Sequence, residues 1–377
     1  MFSFTVKHTD ADTQARLGVL ETPHGSVDTP VFMPVGTRGS VKGILPQQLH
    51  DVGADMILAN TYHLLLRPGP NIVESLGGLH RFMGWDGPIL TDSGGYQVFS
   101  LSDLNQISDD EVEFASHIDG ALVRLSPEIA TGVQNQLGAD VIMAFDECVK
   151  LPCSNEQMRQ AVDRTMRWAE QSLQAHRRKD QWMFGIVQGG TDRELRHYCC
   201  EKLIALDFPG YAIGGLSVGE GHELLVETTA WTAPLLPEDK PRYLMGVGMP
   251  RDMVAAIAAG VDMFDCVLPT RNGRNAFAFL REGTIRLRNE KYRKDDGPLD
   301  PQCDCYSCRN FSRGYLRHLF LVNEMVGPIL VSLHNLAFYQ WLLAEARSAI
   351  AESRFDQWSK TWKQYDAERS DLTVECN

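Results

Sequence analysis

Eight short apolar runs punctuate the chain: TPVFMPV (29–35), ADMILAN (54–60), GPILTDSGG (87–95), ADVIMAFDE (139–147), WMFGIVQGG (182–190), GYAIGGL (210–216), RYLMGVG (242–248) and VDMFDCVLPTR (261–271). Each is nearly continuous in its apolar part and too short for a stable helix. That combination predicts strands buried on both faces, as in a parallel sheet. Between the runs the apolar spacing turns helical, as in SPEIATGVQNQLG, SNEQMRQAVDRTMRWAEQSLQAHRR, DRELRHYCCEKLIAL and MPRDMVAAIAAG. Ser126-Pro127-Glu128 reads as an N-cap with Pro in the first turn, and Gly138 and Gly260 stand where helices should stop. Strands alternating with helices eight times over predict an α/β fold, a (β/α)8 TIM barrel with insertions.

Two stretches exceed what barrel loops require. GLHRFMGWDGP and the polar region 100–125 are expected to form hairpins laid over the barrel. Beyond Arg274, NAFAFLREGTIRLRNEKYR alternates like two strands around a turn at Glu282-Gly283, and the helical patterns SCRNFSRGYLRHLFLVNE and SLHNLAFYQWLLAEARSAIAES follow. The expected division is a barrel over residues 1–272 and a C-terminal β/zinc/helical appendage over 273–377, packed on the barrel.

A length of 377 residues suits one barrel carrying insertions, and 44% hydrophobic with 23% charged residues is globular composition. There is no run of 18 apolar residues, and MFSFTVKHTDADTQARLG carries charges where a signal peptide needs an apolar core. The expectation is a cytoplasmic protein without a membrane segment. A net charge of −13 argues by itself against a nucleic-acid partner. The charge is uneven, however: Arg271 to His318 holds 11 Lys+Arg against 6 Asp+Glu, a local +5 that leaves −18 on the remainder. This segment is either an anion-binding face or a solvated surface, and charge does not choose between them.

The nine cysteines suit a reducing compartment, and three of them crowd into CDCYSCRN. Cys303, Cys305 and Cys308 form a C-x-C-x2-C knuckle that turns three sulfurs toward one point. Tetrahedral Zn2+ requires a fourth ligand, and His318 and His334 lie downstream. His318 falls in the basic run RGYLRHLF, where solvation or capping is its ordinary role. His334 is expected to begin a helix after PILVSLHN and swing back to the knuckle. Iron–sulfur ligation would recruit a fourth Cys, but Cys266 lies within a strand and Cys376 near the chain end. Four protein ligands leave no position for an activated water, so the expected zinc is structural, one per subunit.

The predicted strands end in Asn60, Asp92, Asp146, Gln188, Gly214 and Gly215, Gly246 and Gly248, and Asp265. Barrel enzymes build their sites at this end of the strands. A single Asp after a strand is ordinarily a helix N-cap. Three of them on one face, with Gln188 among them, point instead to a site. No HxH or HExxH pattern accompanies them, which disfavours a metal-dependent hydrolase. Carboxylate pairs without metal break glycosidic bonds, one attacking the anomeric carbon while the other moves a proton. The glycines of DSGG and IGGL let backbone amides approach a flat ligand.

TDSGGYQVFSL, FDEC, GIVQGG, GGLSVGE, YLMGVG, FDCVLPTRNGRN and CDCYSCRN…SLHN, in this order, resemble the bacterial tRNA-guanine transglycosylases over nearly the whole chain. The resemblance implies exchange of the wobble guanine of GUN-anticodon tRNAs (those for Asp, Asn, His and Tyr) for preQ1, 7-aminomethyl-7-deazaguanine, through a covalent enzyme–RNA intermediate in queuosine biosynthesis. It implies Asp265 as nucleophile and Asp92 as general acid and base. Asp146 would read the guanine edge, Gln188 and the Gly215 N–H the base carbonyl, and the Leu216 carbonyl the aminomethyl cation. Tyr96 and Met245 would sandwich the ring, with Ser93, Gly94 and Gly95 lining the slot. The anticodon stem-loop would lie against Gly246, Val247, Gly248, Met249, Pro250, Arg251 and Asp252, and against Thr270, Arg271, Asn272, Gly273 and Arg274. Val218 fits the bacterial pattern, and Ser217 replaces the alanine of many members. A homodimer is implied as well. Two other readings remain on the residues alone: a barrel glycoside hydrolase using Asp92 and Asp265, and a non-catalytic RNA-binding zinc module, which the retained aspartates disfavour.

Overall fold

The computed structural model describes residues 2–97 and 105–365. All eight apolar runs form strands of one parallel sheet, in the spatial order Val31–Pro34, Met263–Cys266, Arg242–Leu244, Gly210–Ile213, Trp182–Val187, Val141–Met143, Ile89–Thr91 and Ile57–Ala59. The two outer strands meet through a parallel bridge between Val35 and Leu58, with Gly36 N–H donating to Leu58 O at 2.6 Å. That contact closes a (β/α)8 barrel.

Strand alternation divides the apolar side chains into two layers. Val31, Met33, Val141, Met143, Phe184, Ile186, Ala212 and Met263 fill the interior. Phe32, Ile142, Val187, Ile213, Leu244 and Phe264 face the surrounding helices. A filled interior is the ordinary condition of a barrel of this size. Burying each large apolar side chain contributes about 1.5–3 kcal/mol. Local signals hold where expected. Helix Pro127–Leu137 starts at Ser126, whose Oγ accepts from Ile129 N–H, and ends on left-handed Gly138.

An N-terminal antiparallel sheet of Ser3–Thr9, Arg16–Thr22 and Gly25–Thr29 was not expected. It caps the N-terminal mouth of the barrel, where Leu20 and Val27 join the interior cluster. Arg16 grips Asp262, just before the eighth strand, through Nε at 3.0 Å and Nη2 at 2.6 Å. Of the two long insertions, one is a hairpin system: Asn105–Ile107, Val112–Ala115 and Leu122–Leu125 form an antiparallel sheet. Residues 100–104 of that region lie outside the described part. The expectation for GLHRFMGWDGP is corrected: Gly78–Met83 is a helix. Leu79, Phe82 and Met83 recur at three- to four-residue spacing, which a hairpin cannot use.

After the eighth strand come helix Leu268–Arg274, the hairpin Phe277–Leu280/Gly283–Arg286 and the knuckle. Helix Val326–Ala351 then runs back along the barrel. Its Gln340 donates to Phe32 O at 3.1 Å and its Arg347 to Pro30 O at 2.7 Å, on and beside the first barrel strand. Gly273 allows the close crossing with helix Leu268–Arg274, since a Cβ there would meet Ser332 Oγ at 2.5 Å. Cys376 and everything after residue 365 lie outside the described residues. Among the described residues no helix is long and apolar enough to cross a membrane.

Candidate active site

Asp92, Asp146 and Asp265 stand at one mouth of the barrel, and none caps the helix that follows it. Asp92 follows strand Ile89–Thr91 and is held from the neighbouring strand end. Thr61 N–H donates to its Oδ1 at 2.7 Å and the Asn60 amide to its Oδ2. Burial raises the Asp92 carboxyl to about 6 against the pull of donors on Asn60, Thr61 and Gln97, and the charge on Asp265 adds to the rise. The two carboxylates therefore sense each other across the mouth.

Asp265 lies in the eighth strand. It accepts from Tyr243 Oη–H at 2.6 Å and from Gly246 N–H at 2.8 Å, and both bonds fall on Oδ1. Burial raises its carboxyl while these two donors oppose the rise. The Tyr243 phenol, fully buried and beside the carboxylate, is itself held well above its ordinary value, so it stays a proton donor. Tyr243 went unnoticed in the sequence because it reads there as one more apolar residue of a strand.

Asp146 is bound by Ser93 Oγ–H at 2.8 Å on one oxygen and by Gln188 Nε2–H at 2.7 Å on the other. Burial lifts it to about 6 against these donors. Gly95 packs directly on it, since a Cβ there would lie 2.5 Å from Asp146 O. Gly215 has a φ of +66°, and a Cβ would strike Gln188 Oε1. Both glycines keep the space around Asp146 and Gln188 open. The Gly214–Leu216 segment is anchored from below by Arg196, a fully buried side chain that sequence reasoning missed. Its Nε donates to Gly190 O at 2.6 Å and its Nη2 to Gly214 O at 2.8 Å. Only its place on an amphipathic helix, facing inward, could have marked it. Leu216 is buried, and Val218 N–H donates to Glu220 at 3.0 Å beyond it.

Tyr96 and Met245 are half-buried, and Gly94 and Gly95 lie in the turn before Tyr96. Of the residues read as an RNA surface, Val247, Gly248, Pro250, Asp252, Thr270 and Gly273 are buried. Gly248 O accepts from Tyr339 Oη–H, and Asp252 pairs with His222. These residues hold the two segments in shape, while Gly246, Met249, Arg251, Arg271, Asn272 and Arg274 remain partly accessible. Desolvation, reinforced by Arg271, pulls the Arg274 guanidinium below its ordinary value.

The metal cluster lies in the appendage. Ligand atoms of Cys303, Cys305, Cys308 and His334 all fall within 4.8 Å of one another. His334 Nδ1 lies 3.6 Å from Cys305 Sγ and 3.3 Å from Cys308 Sγ, and Nε2 donates to Phe279 O at 2.8 Å. That outer bond fixes the proton on Nε2 and aims the Nδ1 lone pair at the sulfurs, the arrangement of a zinc-binding histidine. Hydrogen bonds from the Cys303 and Cys308 thiols pull the Cys305 thiol below its ordinary value. Cys3His donors converging in this way suit structural zinc. His318 is exposed on helix Arg313–Leu321 and plays no part. One expectation is corrected: His334 does not begin a helix. The helix starts at Val326, because Pro328 is tolerated in a first turn where its missing N–H has no partner to lose.

Residues 10–367 match the family model described as queuine tRNA-ribosyltransferase. A protein of that name from Pelotomaculum thermopropionicum is 56% identical over 355 residues, covering 94% of this chain and 96% of the relative. One from Moorella thermoacetica is 54% identical over 94% of this chain and 95% of its own. One from Geobacillus kaustophilus is 54% identical over 93% of each.

Proposed function

The chain belongs to the queuine tRNA-ribosyltransferase family, and we propose that it performs the family's base exchange with Asp265 as nucleophile and Asp92 as general acid and base. It is a tRNA-guanine transglycosylase, which replaces the wobble guanine of tRNA with preQ1. The observation that carries the assignment of roles is the contrast between the two carboxylates. Asp92 has a donor on each oxygen and a carboxyl raised to about 6, whereas among the described residues the bonds to Asp265 sit on Oδ1 alone.

Asp265 attacks the ribose anomeric carbon through Oδ2. The bond to guanine breaks as the ribosyl ester forms, and Asp92 supplies the proton that the leaving base takes up. A carboxyl near 6 exchanges protons in both directions close to neutral pH, as an acid that later becomes a base must. Tyr243 and Gly246 hold Asp265 in position and stabilise its negative charge. The incoming preQ1 enters the vacated slot between Tyr96 and Met245, returns a proton to Asp92, and displaces Asp265.

Base selection rests on Asp146. Its carboxylate accepts the two N–H groups of the guanine edge, and to do so it exchanges the Ser93 and Gln188 donors that now occupy it. Released from Asp146, the Gln188 amide is free to donate to the base carbonyl beside the Gly215 N–H, with Ser93, Gly94 and Gly95 framing the slot. The Leu216 carbonyl accepts from the aminomethyl cation. Arg271 and Arg274, with Met249, Arg251 and Asn272, face the anticodon arm. Val247, Gly248, Pro250, Asp252, Thr270 and Gly273 support them from below. Zinc bound by Cys303, Cys305, Cys308 and His334 ties the knuckle to helix Val326–Ala351 and supplies no chemistry to the exchange.

The working form is a cytoplasmic homodimer. Tyr306, Tyr315, Leu321, Val322 and Met325 expose an apolar patch on the appendage, and a second copy is the occupant proposed for it. Sedimentation should report twice the chain mass, and Met325→Glu with Leu321→Glu should shift the equilibrium to monomer. The activity test is incorporation of labelled guanine into unmodified tRNA with a GUN anticodon. Tritiated guanine should enter the RNA, and preQ1 should chase it out; release of base without incorporation would point to a hydrolase.

A further inference from the structure

At the opposite end of the barrel from the three aspartates lies a second convergence of metal-binding side chains. Asp140 immediately precedes strand Val141–Met143 and is buried. His24 sits in the turn between strands Arg16–Thr22 and Gly25–Thr29 of the N-terminal sheet, and His80 on helix Gly78–Met83. His24 Nδ1 is 2.7 Å from Asp140 Oδ1, and His80 Nε2 is 3.1 Å from Oδ2. The imidazoles stack face to face, with centroids 3.5 Å apart and planes 13° from parallel. One ligand atom from each of the three residues falls within 4.8 Å of the others.

We propose that His24, His80 and Asp140 form a second metal-binding site, for a borderline divalent cation such as Zn2+, which pins the N-terminal sheet to the underside of the barrel. The stacking brings one nitrogen of each ring to the same carboxylate. A cation between them needs nitrogen–oxygen separations only a few tenths of an ångström wider than those present, for metal–nitrogen bonds of about 2.0–2.1 Å. To ligate, each ring carries its proton on the nitrogen distal to Asp140. The Ile89 N–H, at 2.9 Å from Oδ2, is the outer support a ligating carboxylate ordinarily has.

His24 is 38% exposed at its side chain, whereas Asp140 is fully covered. A cation therefore has an entry from solvent on the His24 side. Two imidazoles and one carboxylate select zinc, cobalt, nickel or copper over magnesium and calcium, which prefer oxygen. Arg178, whose charge interacts with Asp140, is already paired with Asp180 through Nε and Nη2 at 3.0 and 2.6 Å. The three ligands come from the N-terminal sheet, the GLHRFMGWDGP insertion and the residue just before a barrel strand. Occupancy would thus cross-link segments far apart in sequence and stabilise the fold rather than act in the exchange reaction.

The test is a Co2+ titration of the zinc-loaded enzyme followed in the visible and near ultraviolet. Cobalt at this site gives d–d absorption without the sulfur-to-cobalt charge transfer that exchange into the cysteine cluster would show. We expect one equivalent to bind in this way, the signal to vanish in His24→Gln, and affinity to fall at least tenfold in His80→Gln. Zinc retained at the cysteines reports that each variant is folded. Added Zn2+ should raise the unfolding temperature of the unsubstituted enzyme and not that of His24→Gln. Absence of thiolate-free cobalt absorption, or equal uptake by His24→Gln, would overturn the proposal and leave a carboxylate satisfied by two neutral imidazoles.

Discussion

Tyr243 and Asp265 stand on adjacent barrel strands, and the Tyr243 hydroxyl donates to Oδ1 of Asp265 at 2.6 Å. The bond fixes the rotamer of a carboxylate whose other oxygen faces the mouth. Tyr243→Phe keeps the ring that fills the barrel and deletes the donor alone. We predict a rise of about 1–2 kcal/mol in the barrier, a loss of roughly five- to thirtyfold in kcat, with KM for tRNA unchanged. Steady-state exchange kinetics at saturating guanine check this. An unaltered kcat would remove Tyr243 from the account.

Base affinity should follow the ionisation of Asp146. Its carboxyl is raised to about 6 in the folded protein, and only the ionised form can accept two N–H groups. Guanine should therefore bind with constant affinity above pH 7 and weaken about tenfold per unit well below pH 6. Calorimetric titration at a series of pH values measures this directly. Asp146→Asn should bind base more weakly by about 2–4 kcal/mol at neutral pH and lose this pH dependence.

Stability should move the opposite way with pH. Asp92 and Asp146 hold protons in the folded state up to about 6, whereas unfolded carboxyls release them near 3.8. The folded state then binds more protons in the window between these values, so unfolding free energy falls as pH rises through it. Asp92→Asn removes one such group, and the Asn60 amide can turn to satisfy the new N–H. Denaturant unfolding should show the variant more stable at pH 8 by up to about 3 kcal/mol, the equivalent of a two-unit shift, with little gain at pH 4. A variant no more stable at pH 8 than at pH 4, relative to the unsubstituted chain, would contradict the origin assigned to the shift.

The barrel was legible because its strands are buried on both faces, which compresses each into a short apolar run with a polar terminus. Asp92, Asp146 and Asp265 were visible for the same reason. What supports them was not. Thr61 and Tyr243 act across strand boundaries, and the register that brings Tyr243 to Asp265 is a property of the closed sheet. Arg196 reaches two carbonyls from the interior, where its charge gives no local signal. The N-terminal sheet was overlooked because its strands alternate with exposed polar residues, as along Ser3–Thr9, where exposed and half-buried positions alternate, and so present no continuous apolar run. His334 was identified as an imidazole able to swing back to the knuckle from a helix start, but its place well inside a long helix depended on Pro328 being admitted to the first turn.

The zinc cluster should be separable from catalysis. His334→Ala removes a ligand and also the donor to Phe279 O, so both the knuckle and the hairpin lose their anchor. Metal analysis should show zinc lost, and the unfolding temperature should drop with it. A folded, zinc-free variant of unchanged stability would mean that the cluster does not hold the appendage together.

The accessible arginines predict a salt dependence. If Arg271 and Arg274 neutralise phosphates of the anticodon arm, log affinity for tRNA falls linearly with log salt, and each Arg→Ala change lowers the slope by about one. Filter binding across a salt series gives the slopes. Identical slopes for the double variant and the unsubstituted enzyme would place the RNA elsewhere.

The most direct test is denaturing electrophoresis of the enzyme after incubation with tRNA and quenching by acid. The unsubstituted enzyme should give an RNA-linked protein band, which is absent in Asp265→Asn although that variant retains tRNA binding, and which forms at a reduced rate in Tyr243→Phe. A covalent band formed by Asp265→Asn and lost in Asp92→Ala would reverse the roles of the two aspartates and contradict the mechanism.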